Sequence, residues 1–307
     1  MRIRYDKFWP GFDPNENFFQ RYLTYRGYGP SVVINKEELV DLEITSVFET
    51  PLRSLETKVN RKLIMSNYYD SKLLEKFMSG RETRLNPALK RLWYTGENVR
   101  PPFAKNFDGY LSYDELDFDG VNCYFPLWYT HLDWFGKSEF NSRVGRDVIT
   151  SQLLQNRQIK SKKNKLGIVF LSNPHPYRIK IVEMLRKFGE IDVYGAYASK
   201  PVRYKIDVSQ EYKFMICFEN DNYPGYVTEK LLDAYLSETV PLYWGNLGRD
   251  SIYNEKSFLN LSDYQNLEHW IESVLSLDYE SIYEQPLFKK EPSLRPFDDF
   301  MKKIIVK

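Results

Sequence analysis

The chain has 307 residues, long enough for two hydrophobic cores, and its 43 basic and 42 acidic side chains leave a net charge of +1. A balance so near neutral excludes a global field for nucleic acid or an anionic membrane, so any recognition of charge must be local. Hydrophobic residues at 42% exclude global disorder, and no window approaches the roughly 18 consecutive apolar residues of a membrane span.

The opening "MRIRYDKFWPGF" has no signal-peptide core, and Cys123 and Cys217 each sit inside an apolar run. These features lead to the expectation of a soluble cytoplasmic protein with two buried, reduced thiols. In "NENFFQRYL" a helix is expected, opened by Asn15 or Asn17 and stopped where Gly27 and Gly29 follow. "EITSVFE", "KLIMS", "RLWYTG", "DGYLSYD" and "NCYFPLW" read as strands bounded by turn residues. "SQLLQNRQIKSKKNK", residues 151–165, is polar and basic and reads as an interdomain connection, helical at its start, with its charge run as solvated surface. After it the alternation is plainer: strand "LGIVFLS", helix "RIKIVEMLRKFG", strands "IDVYG" and "FMICFE", helix "TEKLLDAYLS", strands "TVPLYWG" and "SFLNLS", helix "NLEHWIESVLSL". Such βα alternation predicts a parallel, doubly wound sheet. The expected architecture is α/β, with an N-terminal domain at 1–150, the linker at 151–165 and a C-terminal domain at 166–307.

Three polar intrusions carry the chemistry. The turn "FENDNYPGYVTEK" follows an apolar strand, and Thr228 is placed to cap the next helix. On a helical wheel Glu229, Lys230, Asp233 and Ser237 share one face, which reads as the wet side. Lys230 opposes the helix dipole, however, so an anion site at that turn is the other reading. In "VFLSNPHPYRIK" a second strand-to-helix turn brings Arg178, whose guanidinium suits phosphate oxygens. Two such cations fit a diphosphate. In "RLWYTGENVRPP", Glu97 is either a loop carboxylate facing water or, shielded by Trp93 and Tyr94, a general base of raised pKa. His131, His175 and His269 lack metal-ligand spacing, and "LDFDG" holds a lone Asp117–Phe118–Asp119 triplet of the kind some sugar transferases use for a metal. The 24 Tyr, 20 Phe and 6 Trp are mostly core, although rings with polar edges also suit sugars.

"FENDNYPGYVTEKLLDAYLSETVPLYWG" resembles the signature of the family 10 α-1,3-fucosyltransferases, and "WYTGEN", "SYDELDFDG…YFPLWY" and "SNP…R" follow that family's order over roughly residues 90–262. The resemblance implies a GT-B fold, two Rossmann-like domains facing a central cleft, with GDP-fucose held by the C-terminal domain and an oligosaccharide acceptor mainly by the N-terminal one. It implies Glu97 as general base, Arg178 and Lys230 on the donor phosphates, Glu229 on the ribose hydroxyls, and Glu219, Asn220 and Tyr226 lining the donor pocket. It implies inverting transfer to an N-acetylglucosamine hydroxyl of an N-acetyllactosamine-type glycan, with no metal and no cofactor beyond the donor substrate. The partners expected are therefore GDP-fucose and a glycan, without nucleic acid or a transmembrane segment, and with at most weak peripheral membrane contact. The heptad tail of some bacterial members and the anchor of animal members have no counterpart in the sequence, which reads as a minimal bacterial or viral form. Two rivals stand beside this reading: a GT-B transferase for another nucleotide sugar, and a non-catalytic carbohydrate-binding protein on the same scaffold.

Overall fold

The computed structural model describes residues 1–48, 87–101, 106–136, 150–158, 162–172, 176–249 and 251–305. The strand expected at "KLIMS" lies outside the described residues. The chain forms two compact units, Met1–Phe125 with Arg295–Lys307, and Pro126–Leu294.

The first unit holds a parallel sheet in the order β2-β1-β3-β4-β5-β6. Its strands are β1 (Arg2–Asp6), β2 (Ser31–Val32), β3 (Val40–Thr45), β4 (Ala88–Tyr94), β5 (Gly109–Ser112) and β6 (Asn122–Tyr124). The sequence reading missed β1, although β1 lies between β2 and β3. Charge hid it: Arg4 stands where a strand buried on both faces would carry an apolar residue. Its guanidinium is buried against Glu43 of β3 at 3.0 Å and also donates to the carbonyl of Pro87. Helix α1 (Phe18–Tyr25) begins as expected, with the Asn17 side chain accepting from the Gln20 amide at 3.0 Å. It ends at Gly27, whose φ of 79° is the left-handed value that a helix terminus favours in glycine. Its buried face, Phe18 and Tyr22, meets Phe125 and Phe297.

That aromatic contact places the last helix in this unit. Phe297 lies 4.8 Å from Tyr22 and 4.7 Å from Phe125 between ring centroids, and the Tyr22 hydroxyl donates to Asp298 at 2.8 Å. The helix Arg295–Ile305 therefore stands apart from the 166–307 segment in which the sequence alone would group it.

The second unit carries a parallel sheet in the order β11-β10-β9-β7-β8. Its strands are β7 (Lys165–Phe170), β8 (Ile191–Tyr194), β9 (Tyr212–Phe218), β10 (Val240–Trp244) and β11 (Leu259–Asn260). Both faces are covered, so β9 is apolar nearly throughout. Met215 and Cys217 enter one core with Leu231, Leu232 and Tyr235; Phe214, Ile216 and Phe218 enter the other with Leu242 and Trp270. Each such side chain contributes about 1.5–3 kcal/mol by leaving water. Cys123 and Cys217 are free and buried, as expected, and burial pushes the Cys123 thiol up to about 12.

Of the described residues, 126–136, 150–158 and 162–165 group with the second unit, and the segment expected as a linker contributes Leu153 to its core. The Arg157 guanidinium lies between the rings of Tyr235 and Tyr283, at 4.0 and 4.1 Å from their centroids. It also donates to the carbonyls of Tyr235, Thr239 and Tyr283. An arginine stacked and hydrogen-bonded in this way is a packing element, which a composition-based linker assignment does not anticipate.

Candidate functional site

The chain passes from β7 outward to β8 and then back across β7 to β9, so the strand order reverses between β7 and β9. In open parallel sheets, ligands bind in the crevice outside the carboxyl ends at such a reversal. Two of the sequence-predicted residues stand there. Arg178 lies in the first turn of the helix Pro176–Arg186, which follows β7, and Asn220 stands two residues beyond β9. They touch: one Arg178 nitrogen (Nη2) donates to Asn220 Oδ1 and to the Glu219 carbonyl, both at 2.7 Å.

Glu219 ties the rest together. Its fully buried carboxylate accepts from the Thr228 amide, the Thr228 hydroxyl and Lys230 Nζ, each at 2.8 Å. Lys230 Nζ also donates to Thr228 Oγ1 at 2.7 Å. Thr228 therefore does not cap the helix, as the sequence reading expected; the carboxylate captures its hydroxyl, and the helix starts at Lys230. Gly245 makes room for this bracket, because a side chain there would overlap Tyr243 and come within 2.9 Å of the Glu219 side chain. Sequence reasoning placed Glu219 in the pocket lining. In the structure its carboxylate is committed to Thr228 and Lys230, so it acts as a holder.

The wet-face reading of the helix Lys230–Leu236 is also overturned. Glu229, Asp233 and Ser237 are buried, at 9%, 1% and 0% exposure. Lys205, which the sequence reading missed, forms an ion pair with Asp233. No local pattern marks Lys205; it stands 28 residues upstream of its partner. Tyr226 is buried at the same turn, within electrostatic reach of Arg178.

The protonation states follow. Burial disfavours the Lys230 ammonium, but Glu219 and Glu229 outweigh it and hold its pKa above the ordinary lysine value. Burial would raise the Glu229 carboxyl, but Lys230, Lys205 and His131 hold it below the usual carboxylate range. Burial lowers the pKa of Arg178 from the ordinary arginine value, which is so high that the side chain remains a cation at neutral pH. An ammonium has three donors and a guanidinium five. Among the described residues, two Lys230 bonds and one Arg178 nitrogen are engaged within this bracket, which leaves N–H groups of both cations for an anion at the crevice.

In the first unit Glu97 stands three residues past β4, half-buried, in a turn held by Thr95. Thr95 Oγ1 accepts from the Glu97 amide at 3.1 Å and donates to the Glu97 carbonyl at 2.8 Å. Trp93 and Tyr94 are core residues of the strand itself. The same loop is tied to the next one, because Arg100 forks onto Asp114 at 3.2 and 3.3 Å. Asp117 and Asp119 lie in an exposed turn, with Phe118 and Asp119 at φ 47° and 60°. Among the described residues no three of His, Cys, Asp and Glu gather as metal ligands.

Residues 160–288 match the family model for glycosyltransferase family 10 (fucosyltransferase), C-terminal part. An alpha-(1,3)-fucosyltransferase of Helicobacter pylori is 30% identical over 227 residues, which are 64% of this chain and 47% of that protein. An alpha-(1,3)-fucosyltransferase of Caenorhabditis elegans is 34% identical over 134 residues, 38% of this chain and 35% of that protein. The chain thus spans about half or less of these curated relatives. Two crystal structures of alpha1,3-fucosyltransferase cover 100% of this chain and are themselves covered to 90%. One has a TM-score of 0.67 at 25% identity; the other, with GDP-fucose, has 0.66 at 23%. Residues 160–288 are thus similar to the C-terminal part of glycosyltransferase family 10, and the chain shares the two-sheet α/β fold, of the GT-B type, of those solved structures.

Proposed function

We propose that the protein is an inverting α-1,3-fucosyltransferase. It moves L-fucose from GDP-β-L-fucose to an N-acetylglucosamine hydroxyl of an N-acetyllactosamine-type glycan, with neither metal nor cofactor. The observation that carries this reading is the bracket at the strand reversal, Arg178–Asn220–Glu219–Lys230, in which two cations with N–H groups to spare stand within the stretch that matches the family 10 model.

In this proposal Glu97 takes the proton of the acceptor hydroxyl as its oxygen attacks C1 of fucose. The C1–O bond to the diphosphate breaks, and the bonding pair leaves with GDP. Lys230 and Arg178 stabilise the charge developing there, Glu229 accepts from the ribose hydroxyls, and Asn220 and Tyr226 shape the donor turn. Fixed donors aimed at developing charge are each worth roughly 10²–10³ in rate. Side-chain cations thus take the part that a metal ion plays elsewhere. Among the described residues no helix is long and apolar enough to cross a membrane, and a cytoplasmic site of action belongs to the same proposal.

The test is turnover of GDP-fucose against type 1 and type 2 disaccharides, with the new linkage read by NMR. An α-1,3 product on the N-acetylglucosamine of the type 2 acceptor is expected. Turnover only of another nucleotide sugar would reassign the donor, and glycan binding without turnover of any donor would leave a lectin-like protein. Activity is expected to persist in EDTA; loss restored by Mn²⁺ would overturn metal independence and bring Asp117 and Asp119 back.

A further inference from the structure

The helix Lys230–Leu236 and the residue before it place Glu229 and Asp233 one turn apart on the same buried face. Side chains four residues apart on a helix are neighbours, and like charges there repel, more strongly away from water. The surroundings are drawn from several elements. Lys205 comes from the segment before the short helix Ile206–Ser209, and its ammonium lies 5.6 Å from the Phe170 ring centroid at the end of β7. Lys230 comes from the helix itself, Glu219 and Cys217 from β9 and its end, Arg178 from the helix after β7, and His131 from the turn Leu127–His131. Among the described residues, the cations Lys205, Lys230 and Arg178, with His131 beside them, face the carboxylates Glu219, Glu229 and Asp233. Lys230 is bound to Glu219 and Lys205 to Asp233, which leaves Glu229, among the described residues, as the one of the three with no direct ion pair.

We propose that Lys205 is a positioning residue for the donor site, clamping Asp233 so that Glu229, one helical turn earlier on the same face, is left to the ligand. The inference rests on the donor reading above, and it assigns to Lys205 no contact with substrate. Without Lys205, the three carboxylates lose one of the cations facing them, which favours uptake of a proton. The Glu229–Asp233 pair then titrates as a unit at higher pH than before. The sign is fixed by the present state: Glu229 is held below the usual carboxylate range by Lys230, Lys205 and His131 against the effect of burial. Its charged form is therefore retained down to acid pH, and only a variant that raises this pKa brings its loss into the neutral range.

The experiment is calorimetric titration of GDP into the full chain between pH 5.5 and 8.5. For the wild type, affinity is expected to be flat from about pH 7 upward, above the second ionisation of the terminal phosphate of GDP at about pH 6. Lys205→Met is expected to weaken GDP binding by about tenfold, one pKa unit's worth of lost charge interaction, increasingly so as pH falls, while Lys205→Arg restores both affinity and profile. Asp233→Asn is the second variant, for the case in which Lys205→Met does not fold. It frees the Lys205 ammonium to pair with Glu229 and is expected to weaken GDP binding as well. A folded Lys205→Met, or failing that a folded Asp233→Asn, with wild-type affinity and pH profile overturns the proposal and leaves the donor reading intact. A wild type that binds no GDP overturns both.

Discussion

At the carboxyl edge of each sheet a buried acid past a strand end meets a partly exposed cation. In the first unit it is Asp114 beyond β5 with Arg100, at 2% and 21% side-chain exposure; in the second it is Glu219 beyond β9 with Lys230, at 0% and 24%. What separates them is the use of donors. Arg100 turns two nitrogens of its fork onto its carboxylate, whereas Lys230 divides its bonds between Glu219 and Thr228 beside a second cation, Arg178. A charge at a sheet edge is thus no site by itself. The first pair pins two loops together; the second, among the described residues, holds an ammonium at the strand reversal beside Arg178, with one N–H outside the bracket.

The comparison is tested most severely at Glu97, whose loop the Arg100–Asp114 fork steadies. Glu97→Gln keeps the shape and removes the base, so transfer should fall by roughly 10²–10⁴ while GDP affinity in calorimetry stays unchanged. If transfer stays above about a tenth of wild type, Glu97 is only a loop carboxylate. Asp114 is then a poor substitute, because the Arg100 fork already occupies it, and the exposed Glu115 becomes the next carboxylate to test.

Lys230→Ala comes next. Removing one cation from the developing diphosphate charge should cost roughly 10²–10³ in rate. GDP affinity should weaken by about 1.5–3 kcal/mol, the range for a hydrogen bond to a charged group. Folding should suffer less, since Glu219 keeps both of its bonds to Thr228. Unchanged GDP affinity in the folded variant would make the second edge no different from the first. Asp114→Asn should show the opposite balance: about 1–3 kcal/mol of stability lost in denaturant unfolding, and GDP affinity untouched.

Much of the second edge was legible in the sequence because β9, the turn and β10 form one continuous stretch in which apolar strands bracket polar residues. Arg178, Asn220 and Lys230 could be read as partners there, and the structure joins them through Glu219. What escaped was set by long-range pairing. Arg4 disguised β1 because its counter-ion, Glu43, lies 39 residues away. The helix Arg295–Ile305 has a clear period in Phe297, Phe300, Met301 and Ile304, yet that pattern cannot say which sheet it covers. The stripe Glu229, Asp233, Ser237 looked wet because a wheel describes one element and not what packs on it.

The smallest expected difference concerns two helix caps with the same chemistry in the two units. Asn17 accepts from the Gln20 amide at 3.0 Å and Asn266 from the His269 amide at 2.8 Å, each satisfying an N–H that the helix itself cannot. Their surroundings differ. Asn17 is buried, and its amide nitrogen donates to the carbonyls of Asp13 and Pro14, so alanine there removes three bonds, all part-buried. The Asn266 bond is exposed, and water can replace it. Alanine at the cap generally costs about 0.5–2 kcal/mol, and burial should put Asn17→Ala near the top of that range and Asn266→Ala near the bottom. Denaturant midpoints at constant slope measure the difference directly. Equal losses would mean that the buried bonds of Asn17 add nothing to its cap, and that the loop 13–17 is held instead by the aromatic packing of Phe18 and Phe19.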